Sequence, residues 1–211
     1  MALVRPAVAR KPELRPASEM PKRRALNTKA GRVALLHSLA HIELNAINLA
    51  WDLIGRFTSD DLPQSFFSDW INVGQEEARH FALLSARLNH EGSSYGQLIA
   101  HDGLWEAADR TKHDLLARLA VVPMVLEARG LDVTPGIIQR LVRAGDHESA
   151  TVLQTILHDE IGHVSIGEKW FRRICRARGR NQKKNGKNWC SNTFLARLNN
   201  LLTFMPVNWQ E

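Results

Sequence analysis

The chain has 211 residues, of which 44% are hydrophobic and 24% charged, so its composition is that of a globular protein and excludes a fibrous or wholly disordered one. Its longest unbroken apolar stretch, Leu119–Leu126, is far shorter than the roughly 18 residues of a membrane span, and we expect no association with a membrane. Two cysteines are too few for a disulfide scaffold and favour a reducing compartment, which predicts a cytoplasmic protein.

The formal net charge of +6 is unevenly distributed along the chain. Residues 1–32 contain nine Lys and Arg against two Glu, and residues 169–211 contain ten Lys and Arg against one Glu. Residues 33–168 reverse the balance, with nine basic and nineteen acidic residues. Basic ends can bind tRNA or another polyanion, or they can be solvated tails, and both interpretations remain open. The acidic middle requires a separate explanation.

Residues 1–31 are rich in Pro and Arg and predict an extended basic arm, without the apolar segment of a secretory signal. From there to residue 178 the apolar residues follow a helical period, and no segment alternates with period two, so we predict an all-α fold. Residues 179–211 predict a basic tail in which residues 193–205 form a short amphipathic helix. The predicted helices of the 32–178 domain cover 32–57, 63–91, 104–129, a short piece at 135–144 that follows Thr134, and 146–178.

Each of the four long predicted helices directs one glutamate into its apolar face. An isolated ionised carboxylate in a protein core must become protonated, pair with a positive charge or bind a cation. These faces contain no matching set of Lys or Arg side chains, which leaves a metal as the compensating charge. The four glutamates are Glu43, Glu77, Glu127 and Glu160.

Two of these glutamates begin a Glu-x-x-His motif, Glu77 with His80 and Glu160 with His163. Residues three apart lie on the same face of a helix. The chain therefore repeats a pattern of one helix with Glu followed by one helix with Glu-x-x-His, which is the ligand arrangement of di-iron and di-manganese helical bundles. Four carboxylates and two imidazoles favour two iron ions, with manganese as the alternative.

The segment Glu76-Glu77-Ala78-Arg79-His80 resembles the acidic-Glu-x-Arg-His motif of oxygen-activating members of the ferritin-like superfamily. The second motif, at residues 159–163, departs from it because Gly162 stands where the arginine would be. Residues 31–178 also resemble a bacterial family of ferritin-like proteins, domain of unknown function 455, while the basic segment after residue 178 departs from its pattern. The stretches that carry this second resemblance are Ala40-His-Ile-Glu43, His101-Asp-Gly-Leu-Trp105, residues 126–133 and Asp159-Glu160.

The resemblance implies a ferritin-like four-helix bundle with one extra short helix and basic terminal extensions. In related di-iron proteins, the acid before a ligand glutamate holds a ligand histidine through its second ring nitrogen. This implies such a role for Asp159 and for Glu76, with a solvated surface acid as the alternative, and Arg79 can pair with one of them. Pro123, four residues before Glu127, lacks an N–H group and predicts a kinked or loosened helical turn.

The function that follows is that of a di-iron oxidoreductase of the monooxygenase or hydroxylase type, acting on O₂ and an unidentified substrate. The alternatives are a ferroxidase or iron-handling protein, a manganese catalase-like protein, and a nucleic-acid-binding module stabilised by its metals. The predicted ligands are Glu43, Glu77, His80, Glu127, Glu160 and His163.

Overall fold

The computed structural model describes residues 12–21, 25–58 and 61–178, except for the side chains of residues 125–128. Within these ranges the structure is helical, with one isolated bridge between Leu14 and Ala100 in place of any strand, so the prediction of an all-α fold is confirmed. The predicted tail helix at 193–205 lies outside the described residues. The elements are a short 3₁₀ helix (Ala17–Glu19), α1 (Lys29–Arg56), α2 (Gln64–His90), α3 (Gly103–Arg110), α4 (Leu115–Val121), a π-helical segment (Val122–Glu127), α5 (Ala128–Arg143) and α6 (His147–Ala177).

Ion pairs at one end of the bundle set the relative directions of α1, α2 and α6. Arg32, in the first turn of α1, pairs at 3.0 Å with Glu91, which follows the last residue of α2. The same arginine lies 3.7 Å from Asp146, whose side chain caps the start of α6 by accepting from the amide of Ser149. The starts of α1 and α6 therefore lie beside the end of α2, so α1 and α6 run parallel to each other and antiparallel to α2.

Ion pairs at the opposite end place the remaining helix. Lys169, late in α6, bonds at 2.7 Å to Asp69 near the start of α2, and Arg178 bonds at 2.7 Å to Asp114 at the start of α4. The segment formed by α4, the π-helical turns and α5 therefore runs antiparallel to α6. The order is up, down, down, up, and one long crossover from α2 to α4, which contains α3, joins the two antiparallel pairs.

α1 is long and apolar enough to cross a membrane by length and composition alone. Just over half of its most apolar stretch, however, is buried inside the molecule, which is typical of the core helix of a soluble protein. Its start is fixed by Thr28, whose hydroxyl accepts a hydrogen bond from the amide of Gly31 as an N-cap.

The prediction of one continuous helix from Leu104 to Arg129 is wrong, because the chain turns between α3 and α4. The Thr111 hydroxyl donates to the carbonyls of the last turn of α3, and the Asp114 side chain accepts from the amide of Leu116 to start α4. Side chains of this kind offer the backbone an alternative to helical hydrogen bonds. The polar run from Thr111 to Asp114 was the sequence signal for this break.

The predicted start of a short helix at Thr134-Pro135 is also wrong, because α5 begins at Ala128 and Pro135 lies inside it. The helix is continuous with the preceding π-helical segment, so it completes the third long member of the bundle. The extra short helix is α3. The loosened turn that Pro123 predicts occurs as this π-helical segment at Val122–Glu127.

The two largest apolar clusters of the core lie at opposite ends of the bundle, and the glutamates of the predicted metal site lie between them in the helix register; a third, smaller cluster packs α3 against α1 and the π-helical segment. One cluster lies at the end where α1 begins, and the other lies where α1 ends. The first includes Leu36, Leu84, Leu88, Leu141 and Leu153; the second includes Phe66, Trp70, Leu119, Trp170 and Ile174.

Candidate metal centre

The structure brings five of the six predicted ligands together between the two apolar clusters. Glu43 comes from α1, Glu77 and His80 from α2, and Glu160 and His163 from α6. Glu77, His80 and His163 are at most 1% exposed. Glu43, Glu77, His80 and Glu160 each offer a ligand atom within 4.8 Å of the others. The backbone of Glu127 ends the π-helical segment, but its side chain lies outside the described part of the chain.

His80 turns its Nδ1 atom toward the carboxylates. This atom lies 3.3 Å from Glu43 Oε2, 3.5 Å from Glu77 Oε2 and 3.9 Å from Glu160 Oε1. The other ring nitrogen, Nε2, lies 3.0 Å from Asp159 Oδ2 on α6. With a proton on Nε2, the Nδ1 lone pair points into the cluster and is free to bind a cation.

His163 repeats this arrangement from the opposite helix. Its Nδ1 atom lies 3.0 Å from Glu77 Oε1 and 3.5 Å from Glu160 Oε2. Its Nε2 atom lies 2.7 Å from Glu76 Oε2 on α2. Each histidine is thus held by the acid that precedes the ligand glutamate of the other helix. The centroids of the two imidazole rings are 5.8 Å apart.

Several polar atoms in this cluster are buried without a hydrogen-bond partner. They are both carboxylate oxygens of Glu77, Oε2 of Glu160 and Nδ1 of His163. The 3.0 Å approach of His163 Nδ1 to Glu77 Oε1 is a close contact without hydrogen-bond geometry. Unsatisfied buried polar groups cost roughly 1–3 kcal/mol each and are rare in native proteins. A cation would satisfy all of these lone pairs together, so this cluster of Glu and His side chains could bind a metal ion.

The carboxylates of the cluster have pKa values that differ strongly from one another. Burial raises the pKa of Glu43 well above its ordinary range, and the neighbouring charge of Glu77 adds to the effect. Burial likewise raises the pKa of Glu160. For Glu77 burial acts in the same direction, but the two imidazoles outweigh it and lower its pKa to about 2. Without a cation, protons therefore neutralise part of the cluster.

Both histidines also have raised pKa values, so protons on the imidazoles as well as on the carboxylates balance the cluster when no cation is bound. Burial opposes the positive charge of His80, but the carboxylates of Glu43 and Glu77 outweigh it and raise its pKa to about 10. For His163 burial is again outweighed, by Glu160 and Glu77, and its pKa rises to about 12. A metal must displace protons from both rings in order to bind them.

A close approach between α6 and the π-helical segment occurs one helical turn beyond His163. A Cβ atom built on Gly167 would lie 2.7 Å from Cβ of Pro123 and 2.8 Å from its Cγ. Only a residue without a side chain lets the Pro123 ring lie this close to α6. Gly167 therefore lets the segment that ends at Glu127 lie against the helix that carries His163.

A second group of histidines, which the sequence analysis did not assign to the site, supports the crossover loop. The Nε2 atom of His37 accepts from the amides of Gly96 at 2.9 Å and Leu98 at 3.4 Å, and burial lowers its pKa to about 4. His41 Nδ1 accepts a hydrogen bond of 2.8 Å from the hydroxyl of Tyr95. These rings hold the loop against α1.

Comparisons with known proteins extend the resemblance beyond the helical bundle. Residues 1–204 match a family described as "Protein of unknown function (DUF455)". Our prediction that the family pattern stops near residue 178 is therefore wrong. An "Uncharacterized protein" of Haemophilus influenzae is 43% identical over 178 residues, which cover 82% of this chain and 62% of that relative's length. No solved structure shows a significant match. On the extent of the family match, the chain belongs to the DUF455 family.

Proposed function

We propose that this chain is a ferritin-like protein that holds two iron ions and uses O₂ to oxidise an organic substrate. The observation that carries the proposal is the convergence of buried, unpartnered atoms of Glu77, Glu160 and His163, together with His80, between two apolar clusters. Carboxylate and imidazole ligands in this combination suit iron or manganese better than a thiolate-preferring metal.

The connectivity of the helices supports the ferritin-like assignment. Ferritin-like bundles contain one long crossover between two antiparallel helix pairs, and this chain has the same order of directions. The π-helical segment Val122–Glu127 adds to this support, because π-bulges inside α-helices are frequent at functional sites.

The orientation of the side chains suggests how two ions would share the ligands. Glu77 presents Oε2 to His80 and Oε1 to His163, and Glu160 presents Oε1 and Oε2 in the same way. Both glutamates would therefore help to hold the two ions, with Glu43 on the side of His80. When bound, the iron pair would supply the electrons and open coordination positions that O₂ chemistry requires.

The remaining groups hold and shield this centre. Asp159 and Glu76 keep the outer ring nitrogens protonated, which directs the Nδ1 lone pairs inward. The apolar clusters above and below the centre exclude water, so the charges of the ligands interact strongly with a bound ion.

Metal content is the first test, with a matched pair of substitutions on α6. The wild-type chain, expressed with added iron, should contain about two iron ions, and Glu160→Gln should lose most of them. Glu168→Gln is the control, because Glu168 is two turns further along the same helix, is exposed and pairs with Arg172. A folded wild-type protein that contains no metal would contradict the proposal.

Reaction with oxygen is the second test. The reduced, iron-loaded protein should consume O₂ and develop the visible or near-ultraviolet absorption of oxidised iron. Iron oxidation followed by deposition of many ions per chain would instead identify a ferroxidase. Rapid disproportionation of peroxide by the manganese form would identify a catalase-like protein, and binding of tRNA without any oxidation would favour a nucleic-acid-binding module.

A further inference from the structure

We infer that the two halves of the centre are not equivalent, and that divalent cations enter and leave through the half formed by His163 and Glu76. The inference rests on the proposed two-ion centre and adds a direction of exchange to it. It comes from a comparison of the two histidine–carboxylate pairs on α2 and α6, which are related by a pseudo-twofold axis.

The pseudo-twofold relation assigns each residue of one motif a counterpart in the other. His80 on α2 bonds to Asp159 on α6, and His163 on α6 bonds to Glu76 on α2. Arg79, which precedes His80, reaches across to Asp159. By the same relation, the residue that precedes His163 faces Glu76, and that residue is Gly162.

The His80 half is closed by this arginine. Asp159 Oδ2 lies 3.0 Å from His80 Nε2 and 2.5 Å from Arg79 Nη2, and its side chain is only 15% exposed. A carboxylate with two positively polarised partners is fixed in position and holds the imidazole in one orientation. Detachment of His80 from a bound ion would have to break this arrangement.

The His163 half is open to solvent. The Glu76 side chain is 45% exposed, and within the described residues it has no Lys or Arg partner. Gly162 is exposed, and a Cβ atom built on it meets no atom within 4 Å, so a side chain can begin at this position without a clash. An exposed carboxylate that has a ligand histidine but no guanidinium as its partner can attract a hydrated cation and release His163 more easily than Asp159 releases His80.

Release kinetics of a metal from the full-length protein test this inference directly. The protein is loaded with two Co²⁺ ions and mixed with an excess of a chromogenic chelator. We expect two phases of equal amplitude, one ion leaving at least about tenfold faster than the other, in line with the 10–100-fold effects of groups that hold metal-ligating histidines.

Two substitutions should shift the phases in opposite directions. Gly162→Arg supplies the missing guanidinium opposite Glu76 and should slow the fast phase toward the slow one. Gly162→Gln is its control, because it adds a polar side chain without the charge and should leave the fast phase nearly unchanged. Arg79→Gln should speed the slow phase toward the fast one. Circular dichroism establishes that each variant is folded.

The outcomes separate this inference from the proposed function. Release of both ions in one phase, or a fast phase that Gly162→Arg does not slow, would overturn the inference while leaving a two-ion centre intact. Equal slowing by Gly162→Arg and Gly162→Gln would also overturn it, since bulk and not charge would then control exchange. A wild-type chain that takes up no Co²⁺ would overturn the proposed function itself.

Discussion

Two of the buried polar clusters in this bundle differ in whether their atoms have partners. Arg118 is 1% exposed, and it donates to Asp52 at 2.5 Å, to the carbonyl of Ala108 at 2.6 Å and to the hydroxyl of Thr111 at 3.0 Å. At the candidate metal centre, by contrast, both oxygens of Glu77 lack a hydrogen-bond partner.

The difference shows what distinguishes a structural cluster from a binding site. Burial and charge are common to both, so neither identifies a ligand. In the Arg118 cluster the opposite charges and hydrogen bonds come from the chain itself, and Asp52 has a lowered pKa because Arg56 and Arg118 outweigh the effect of its burial. At the candidate metal centre the chain supplies an excess of acceptors, so the cluster could bind a cation from outside.

The largest expected effect is on the structural cluster. Arg118→Met should lower the free energy of unfolding by about 3–5 kcal/mol, because breaking a buried ion pair leaves an unpaired charge and unsatisfied carbonyl and hydroxyl groups. Urea denaturation of the metal-free protein measures this. Arg110→Met on the exposed surface of α3 is the control and should change the free energy by no more than about 0.5 kcal/mol. Equal effects in both variants would contradict the comparison.

The next effect concerns the metal centre alone. A divalent ion at about 100 times its dissociation constant should raise the free energy of unfolding by roughly 2.7 kcal/mol per site. Glu77→Gln should abolish this gain. Arg118→Met should show the same gain, starting from a lower free energy of unfolding. Thermal denaturation with and without Mn²⁺ distinguishes the two. If Mn²⁺ stabilised Glu77→Gln as strongly as the wild type, the centre would lie elsewhere.

A smaller effect is expected where α6 meets the π-helical segment. Gly167→Ala places a methyl group in collision with Pro123, and overpacking of this kind costs about 1–3 kcal/mol. Gly162→Ala is the matched control on the same helix, since its Cβ meets nothing within 4 Å and should instead stabilise the helix by roughly 0.5–1 kcal/mol. Unfolding midpoints in urea measure both, and opposite signs are the expected result.

A further effect is the pH dependence of metal binding, whose size grows with each proton displaced and each pH unit. The raised pKa values of His80 (about 10) and His163 (about 12) mean that both rings are protonated at neutral pH in the metal-free protein. The protonated histidines stabilise the folded, metal-free protein. This stabilisation is complete below the pKa of an unfolded histidine, about 6.5, and is lost as pH rises through the pKa values of the folded protein. Metal must displace these protons, so its affinity should rise between pH 6 and 8 by about 1.4 kcal/mol per proton and pH unit.

Calorimetry in buffers of different ionisation enthalpy counts the protons that are released on metal binding. Release of two or more protons for two ions would agree with the protonated histidines and with the raised pKa values of Glu43 and Glu160. An affinity that did not change between pH 6 and 8 would contradict it, because neutral rings would have no proton to lose.

How far the fold could be predicted depended on the range of the interactions involved. Helical periodicity predicted α1, α2 and α6 to within a few residues, because an apolar stripe and its caps depend on neighbours within one or two turns. The predicted helix at 104–129 failed, since the break at Thr111 is stabilised by Arg118 and, through it, by Asp52 in another helix. Thr134-Pro135 is a local signal for the start of a helix, but the chain is already helical there, because α5 begins at Ala128.

By itself, the sequence determined the all-α class and the set of candidate ligands, because the spacing in Glu-x-x-His places both side chains on one helix face. Only the tertiary structure decided which acid holds which histidine, since Asp159 and His80 are 79 residues apart and Glu76 and His163 are 87 apart. It also decided that the His80 half is closed and the Glu76 half open. Orientation across a helix interface depends on packing between distant segments, which no local pattern of residues encodes.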